Sequence, residues 1–403
     1  MRETILQVLF AASALLVAYI YFGYPLLIAF LARFFPRRTA SAETAEFPFV
    51  TLIVSAYNEQ AVISEKLENS LALAYPPDRL QILVVSDCST DGTDEIVLSF
   101  AERGVRLVRQ PERLGKSAGL NLGVQVAGGE VLIFSDANAI YQSDAIRHLV
   151  KHFSDENVGY VVGNARYVES SALVSSAQSE GLYWRFETWL KKKESEFGSV
   201  VGGDGAIYAI RRALFFPLGA SDINDLLNPL QIIAHGYIGV FEPAAVCYEE
   251  AGDSFEKEFR RKVRIIGRSL GAVCRVWTVL LPRTQPRHWY ALVSHKLLRW
   301  FSPFFLILLL ASSLLLWASV FYRVAAVLQL GFYALAVAGW WLESRRRSLR
   351  VFYLPFYFCV VNLASLFGIV NSLRGSLSPT WQTVRQQNHV QQDPAAGLAR
   401  RKS

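Results

Sequence analysis

The sequence predicts an α/β domain with a Rossmann-like, mostly parallel sheet, joined to α-helical transmembrane segments. Three observations point there. Short apolar runs alternate with helical patterns between residues 48 and 139, the rhythm of a doubly wound sheet. Polar residues follow three of those runs directly, so Asn58, Asp87 and Asp136 fall at one carboxyl edge, where open α/β sheets bind ligands. Residues 4–32 and 301–372 hold long apolar runs, whereas 46–300 has ordinary globular composition.

Taken in order, residues 4–32 contain no Lys, Arg, Asp or Glu and exceed the ~20 residues needed to span a bilayer. The run is too long for a signal-peptide core and lacks a small-x-small cleavage site, so a permanent anchor over 1–38 is expected. Tyr24-Pro25 is placed to bend it. Arg33, Arg37 and Arg38 follow, which puts that end in the cytoplasm, and 39–47 reads as a linker. The α/β domain is expected over 46–275. Its strands are 48–56, Gln81–Ser86, Val105–Arg109 and the run VLIF from Val131, which ends in Asp136-Ala-Asn138. Helices are expected at 60–73, Asp94–Arg103, Ser117–Ala127 and Tyr183–Phe197. A carboxylate at the tip of the fourth strand suits a hard cation held by oxygen. Arg113-Leu-Gly-Lys116-Ser117 is not a P-loop, because Gln110 stands where that loop needs glycine. No G-x-G-x-x-G follows a strand, which disfavours a dinucleotide enzyme.

Of the 403 residues, 52% are hydrophobic and 19% charged, with a net charge of +7. The basic residues cluster beside the apolar runs, which points to membrane lipid and away from nucleic acid. Cys88, Cys247, Cys274 and Cys359 show no paired spacing, so a reducing compartment is expected and a disulfide scaffold or zinc site is not. Interfacial helices are expected over 276–300, with His288–Trp300 mixing apolar, aromatic and basic residues. Spans follow at 301–319 and 324–342, parted by a turn at Arg323, then a third apolar run, Val351–Leu373, and a polar tail over 374–403.

SAYNE at 55–59, SDCSTDGT at 86–93, RLGKSAGLNLG at 113–123, SDAN at 135–138, GGDGAIYAIRR at 202–212, IND at 223–225 and RRKVR at 260–264 together resemble glycosyltransferase family 2. The likeness covers roughly residues 1–385 and is to the membrane-integrated branch of cellulose, chitin, hyaluronan and poly-N-acetylglucosamine synthases. It implies a GT-A fold and an inverting transfer from a nucleotide-sugar donor. By this resemblance Asn58 and Asp87 contact the base or ribose, and Asp91 and Lys116 lie near the nucleotide or its phosphates. Asp136 holds a divalent metal, Mg²⁺ or Mn²⁺. Asn138 stands where the family has a second Asp, and an amide oxygen can ligate directly or through water. Asp225, by its spacing to Leu230 and Gly236, is the general base, and Asp222 is not. Asn224 replaces the family's Glu. In the motif Gln-x-x-Arg-Trp, Arg261 replaces Gln, Arg264 is kept to stabilise the leaving diphosphate, and Ile265 replaces Trp. Trp381 and Arg385 resemble a Trp-x-Thr loop that closes over the donor from the cytoplasm.

Blander roles stand beside these. Asp87, Asp91 and Asp225 could cap helices or turns, Asp204 could bind a hydroxyl or only shape its turn, and RRKVRIIGR could be a lipid-binding amphipathic helix. His148 and His152 have i, i+4 spacing but read as a solvated helix face. The expected function is a membrane glycosyltransferase of the cell (inner) membrane with a cytoplasmic catalytic domain. It acts on a UDP-linked donor and a glycan or lipid-linked acceptor in cell-surface or exopolysaccharide synthesis, alone or with export partners. A catalytically weak nucleotide-sugar-binding scaffold of a glycan-export complex is the alternative. Processive synthesis and single addition both stay open, as does whether Val351–Leu373 spans.

Overall fold

The computed structural model describes residues 1–37, 47–168, 174–250, 255–283, 285–345 and 350–375. The linker at 39–46 and the tail with Trp381 and Arg385 lie outside the described residues. The chain opens with α1 (Arg2–Ala18) and α2 (Tyr24–Phe34), joined through a π turn at Tyr19–Gly23 into one helix. The α/β domain then runs β1 (Val50–Ala56), α3 (Ile63–Leu71), β2 (Leu80–Ser86), α4 (Thr93–Ser99), β3 (Val105–Arg109), α5 (Lys116–Val126) and β4 (Val131–Asp136). Next come β5 (Ile140–Tyr141), α6 (Ala145–Val150), β6 (Val158–Val168), α7 (Val174–Phe197), β7 (Tyr208–Arg211), α8 (Asn224–Ala234), β8 (Ile238–Glu250) and α9 (Phe255–Arg283). The last helices are α10 (Pro286–Ala291), α11 (Leu298–Leu315), α12 (Val320–Ser344) and α13 (Arg350–Leu373).

The eight strands form one sheet in the order β3-β2-β1-β4-β7-β6-β8-β5. Strands β3, β2, β1 and β4 are parallel, and β7 is antiparallel to both neighbours. Every residue of β1 is buried, as expected where helices cover both faces of a parallel sheet. Alternation sends Leu52, Val54 and Ile133 to one core and Ile53, Leu132 and Phe134 to the other. The expected parallel half is present with small shifts of boundary. The sequence pattern gave no strand after β4: Gly163-Asn164 interrupts β6, β7 is only four residues long, and β8 contains Glu242-Pro243.

Among the described residues, four helices are long and apolar enough to cross a membrane: Arg2–Phe34, Pro286–Leu315, Val320–Glu343 and Val351–Leu373. The bend expected at Tyr24-Pro25 takes the form of the π turn just before it. Pro25 has no N–H for the Tyr21 carbonyl, and a π turn absorbs that loss. Beyond it, Tyr24 and Ile28 pack on Leu190 of α7, and the Arg37 amide donates to the Glu196 carbonyl at 2.7 Å.

Two expectations are corrected. His288–Trp300 is not a separate interfacial helix; with a π turn at Leu292–Leu297 it is the first half of the helix Pro286–Leu315. Its charges face protein rather than headgroups: His295 bridges Glu194 (2.7 Å) and Glu187 (3.2 Å), and Arg299 pairs with Glu187. The following turn falls just before Val320, not at Arg323. Arg323 lies in the first turn of α12 and donates back to the Trp317 carbonyl at 3.3 Å.

Helix α13 lies along α9. Phe255 packs on Tyr353 and Phe356, Phe259 on Phe367, and a Cβ at Gly368 would sit 2.9 Å from the Val263 carbonyl oxygen. Asn362, unusual in an apolar helix, is a joint. Its Oδ1 accepts from Ser302 at 2.5 Å and its Nδ2 donates to the Tyr21 hydroxyl at 3.2 Å.

Candidate active site

The site forms where β1, β2 and β4 end together. Register pairs Ala56 with Ser86 and Ser55 with Asp136, so Asn58, Asp87 and Asp136 do share the expected edge. Asp87 is buried. One of its oxygens accepts from Gln110 Nε2 (2.7 Å) and from the Leu114 and Gly115 amides (3.0 and 2.9 Å). The loop that resembled a P-loop therefore wraps a carboxylate. The other oxygen, Oδ2, is buried without a partner, and burial raises the Asp87 pKa against the pull of those amides and Arg113. A buried acceptor left open at a strand end is suited to a ligand N–H or hydroxyl.

Asn58 has φ 52° and links the two loops. It accepts from the Thr90 amide at 2.8 Å and donates to the Thr90 hydroxyl at 3.1 Å. Asp91 takes a structural position: its carboxylate accepts from Thr93 N at the start of α4 (3.0 Å) and from Gln60 N (3.2 Å). The guanidinium of Arg113 stacks on Tyr57, 3.8 Å from the ring centre, at the same loop end.

Lys116, at the start of α5, is ion-paired with Asp136 at the end of β4. Burial draws the lysine pKa down, but Asp136, with Asp225 and Glu249 beyond it, raises it overall. Asp225 lies in the first turn of α8, whose backbone accepts from the Gly203 amide. Gly205 marks where these groups meet. A Cβ there would lie 3.4 Å from Asp225 Oδ2, 3.5 Å from Lys116 Nζ and 3.7 Å from Asp136 Oδ2. Residues from β4, α5 and α8 thus converge on a point kept open by a missing side chain. The Asp225 pKa is raised, first by burial, with Asp204 and Asp136 adding and Lys116 opposing.

The neighbours of Asp225 are otherwise committed. Asn224 donates to the buried Tyr208 hydroxyl at 2.8 Å, so the residue replacing the family's Glu anchors α8. Asp222 pairs with Arg275 and accepts from the Gly219 amide at 2.6 Å. Asp204 holds Lys191 of α7 at 3.3 Å.

From α9, Arg264 points its charge toward the same region. Burial, Arg268 and Arg261 lower its pKa to about 10, and Asp136 counters them. Among the described residues it has no ion-pair partner, which leaves it available to an anion. Arg261 is braced instead, 3.1 Å from Glu258 and donating to Tyr167 at 3.3 Å. Glu249, on β8, was missed by the sequence reading. Burial and then Asp136 and Asp204 raise its pKa to about 8. No motif pointed to it; its place depends on β8 register, which pairs it with Tyr167. His148 and His152 do not form a pair: His148 meets Asp144 at 3.2 Å, and His152 is buried against Glu242 at 2.7 Å.

Among the described residues no group of three or more His, Cys, Asp or Glu side chains is arranged to hold a metal. Asp136 and the amide of Asn138 supply few ligands alone. Oxygen donors of this kind suit a hard divalent cation, and in this structure the Asp136 carboxylate is engaged by Lys116.

A mostly parallel sheet with an acid–lysine–acid cluster at its carboxyl edge defines an α/β domain with its candidate site at the strand ends. Residues 51–216 match the family described as "Glycosyl transferase family 2", and the chain carries a domain of that family with the GT-A fold. It is 29% identical over 240 residues to the probable glycosyltransferase YdaM of Bacillus subtilis (strain 168), covering 54% of each chain. It is 25% identical over 225 residues to the poly-beta-1,6-N-acetyl-D-glucosamine synthase of Staphylococcus aureus (strain COL), again covering 54% of each. The chain spans about half the length of these curated relatives. Among solved structures it resembles the mannosyltransferase PcManGT from Pyrobaculum calidifontis in complex with GDP-Man and Mn²⁺. The TM-score is 0.69 at 25% identity, over 91% of this chain and 99% of that one.

Gly205→Ala tests the convergence point. The added methyl makes only ordinary contacts, so thermal unfolding should not change. Donor turnover should fall roughly 10²-fold, the cost of misplacing reacting groups by about an ångström. Full turnover in this variant would mean that the space is not used.

Proposed function

We propose that this chain is an inverting membrane glycosyltransferase that moves a sugar from a nucleoside-diphosphate donor to a glycan or lipid-linked acceptor in cell-surface or exopolysaccharide synthesis. The observation that carries the reading is the approach of Asp225, Lys116 and Asp136 to one open point at Gly205. Asp87 and Asn58 receive the nucleoside end. Asp136 and Asn138 would hold the divalent metal, which neutralises the donor diphosphate when bound. Lys116 and Arg264 balance the phosphate charge that grows as the glycosidic bond breaks. Asp225 takes the acceptor hydroxyl proton as that oxygen attacks the anomeric carbon from the opposite face. The Mn²⁺ in the mannosyltransferase complex supports the metal. UDP-sugars and GDP-mannose are the donors to try first, one from the synthase relative's class of product and the other from that complex.

The catalytic domain is assigned to the cytoplasmic side of the inner membrane, with α13 lying along that side instead of crossing. Its start touches Phe255 of α9 and Gly339 near the end of α12, and its far end, through Ile369, shares a core with Ala291, Leu292 and Ile266. Over the same stretch α9 carries Arg260, Arg261, Lys262, Arg264 and Arg268, and Arg268 donates to the Ser221 carbonyl of the α/β domain at 2.9 Å. A helix laid along so charged a partner is poorly placed to cross hydrocarbon. This course would keep Trp381 and Arg385 on the catalytic side, where they could close over the donor.

Four measurements bear on this reading. Asp225→Asn should lower turnover ~10²–10⁴-fold with donor binding retained. Because Asp225 acts ionised and its pKa is raised, wild-type kcat/KM should climb with pH along an acid limb lying above the ordinary carboxylate range. Near wild-type turnover in the variant would remove Asp225 from the mechanism. Asp136→Ala should abolish metal-dependent donor binding and Asn138→Asp should keep it, as read by titration of Mn²⁺ against nucleotide; unchanged metal dependence in the first would place the metal elsewhere. For the tail, Val390→Cys in a background without other cysteines should be labelled from the catalytic face of sealed vesicles. Labelling from the opposite face alone would end the idea of a closing loop.

A further inference from the structure

Lys66 on α3 is the one lysine among the largest fully buried side chains, with no exposed surface. It is not on the sheet edge, and no motif singled it out. Its ammonium donates to the Ala139 carbonyl at 2.5 Å and lies 4.0 Å from the centre of the Tyr141 ring. One turn further along α3, Asn69 clamps the same segment from both sides, donating to the Tyr141 carbonyl and accepting from its amide, each at 2.8 Å. The Tyr141 hydroxyl continues the chain of contacts, donating to the Ala206 carbonyl at 2.9 Å, next to Gly205. Ala139 closes the turn that begins at Asp136, since its amide donates to the Asp136 carbonyl at 3.2 Å. Asp136 and Asn138 therefore stand on a four-residue turn whose far end is held by a buried cation. The loop carrying Gly205 is held through the same tyrosine.

A buried ammonium with one carbonyl and one ring face is costly to keep, and an apolar side chain of the same length would fill the space more cheaply. We propose that Lys66 is a positioning residue for the donor diphosphate and its metal: from beneath the sheet it fixes the Ala139 carbonyl, and so the direction in which the turn presents Asp136 and Asn138. Burial draws the Lys66 pKa down to about 7, and Cys247, Asp136 and Glu249 hold it up against that cost. The inference rests on the reading of the turn as the diphosphate and metal site, and it adds a residue from another element to that site.

The test is binding of UDP and of GDP to the purified full chain, by calorimetry, in Mn²⁺ and in EDTA. Wild-type protein is measured first: if neither nucleotide gains affinity from Mn²⁺, the metal-site reading itself fails. If one does, Lys66→Met should weaken its Mn²⁺-supported binding at least about tenfold, the usual loss when a group orienting a metal ligand is removed. Binding in EDTA, which depends on Asp87 and Asn58, should stay within about twofold. Lys66→Gln keeps an N–H for the Ala139 carbonyl without the charge and should fall between the two; it also decides the question if the methionine variant does not fold. Equal losses with and without Mn²⁺, or a drop in thermal stability with Mn²⁺-supported binding unchanged, would make Lys66 merely structural and overturn the proposal.

Discussion

Like charges gathered at one sheet edge must be offset, and the arrangement of this protein follows from how that is done. Burial first, and then the charges of Asp136 and Asp204, raise the pKa values of Asp225 and Glu249. The Lys116–Asp136 ion pair is the central offset, because it ties the end of β4 to the start of α5 within reach of Asp225. Lys191 answers Asp204 in the same way from α7. The result is a set of alternating charges at the sheet edge, tied across β4, α5 and α7.

The pairs also reach outward to the membrane helices. One face of helix α7 carries Lys191, which pairs with Asp204, and Glu187 and Glu194, which meet His295, Arg299 and Tyr24. The two π turns meet there, with the Tyr19 and Ser294 hydroxyls 2.8 Å apart. π turns widen a helix locally and recur at functional positions. Here they let two long apolar helices present polar groups to one buried acid-rich seam. The position of α7, and with it Asp204 and Gly205, is thereby coupled to helices long and apolar enough to cross a membrane.

Much of this was legible from sequence, and for physical reasons. Parallel strands buried on both faces leave apolar runs, and the polar residue that ends each run reports the ligand edge, so Asn58, Asp87 and Asp136 could be placed together. A motif's spacing singled out Asp225 over Asp222, and in the structure Asp222 pairs with Arg275. What was not legible depends on packing between distant elements. Glu249 reaches the site only through β8 register, and Lys66 looks like an ordinary surface lysine on an amphipathic helix until Ala139 and Tyr141 fold over it. Asp91 shares its motif with Asp87, yet its carboxylate accepts from the Thr93 and Gln60 amides, because the chain turns between them. The charges of His295 and Arg299 suggested lipid headgroups, since nothing local reveals that Glu187 and Glu194 await them.

The central claim is that a carboxylate on α8 directs an acceptor hydroxyl at an anomeric carbon whose diphosphate is held at the sheet edge. The stereochemistry of the product tests it most directly. Purified protein in detergent is given α-linked nucleotide sugars, UDP- and GDP-linked, with Mn²⁺ and a glycan or lipid acceptor, and the new linkage is assigned by NMR. The account predicts nucleoside diphosphate release coupled to a β linkage. Release coupled to an α linkage, with the donor's configuration retained, would contradict it.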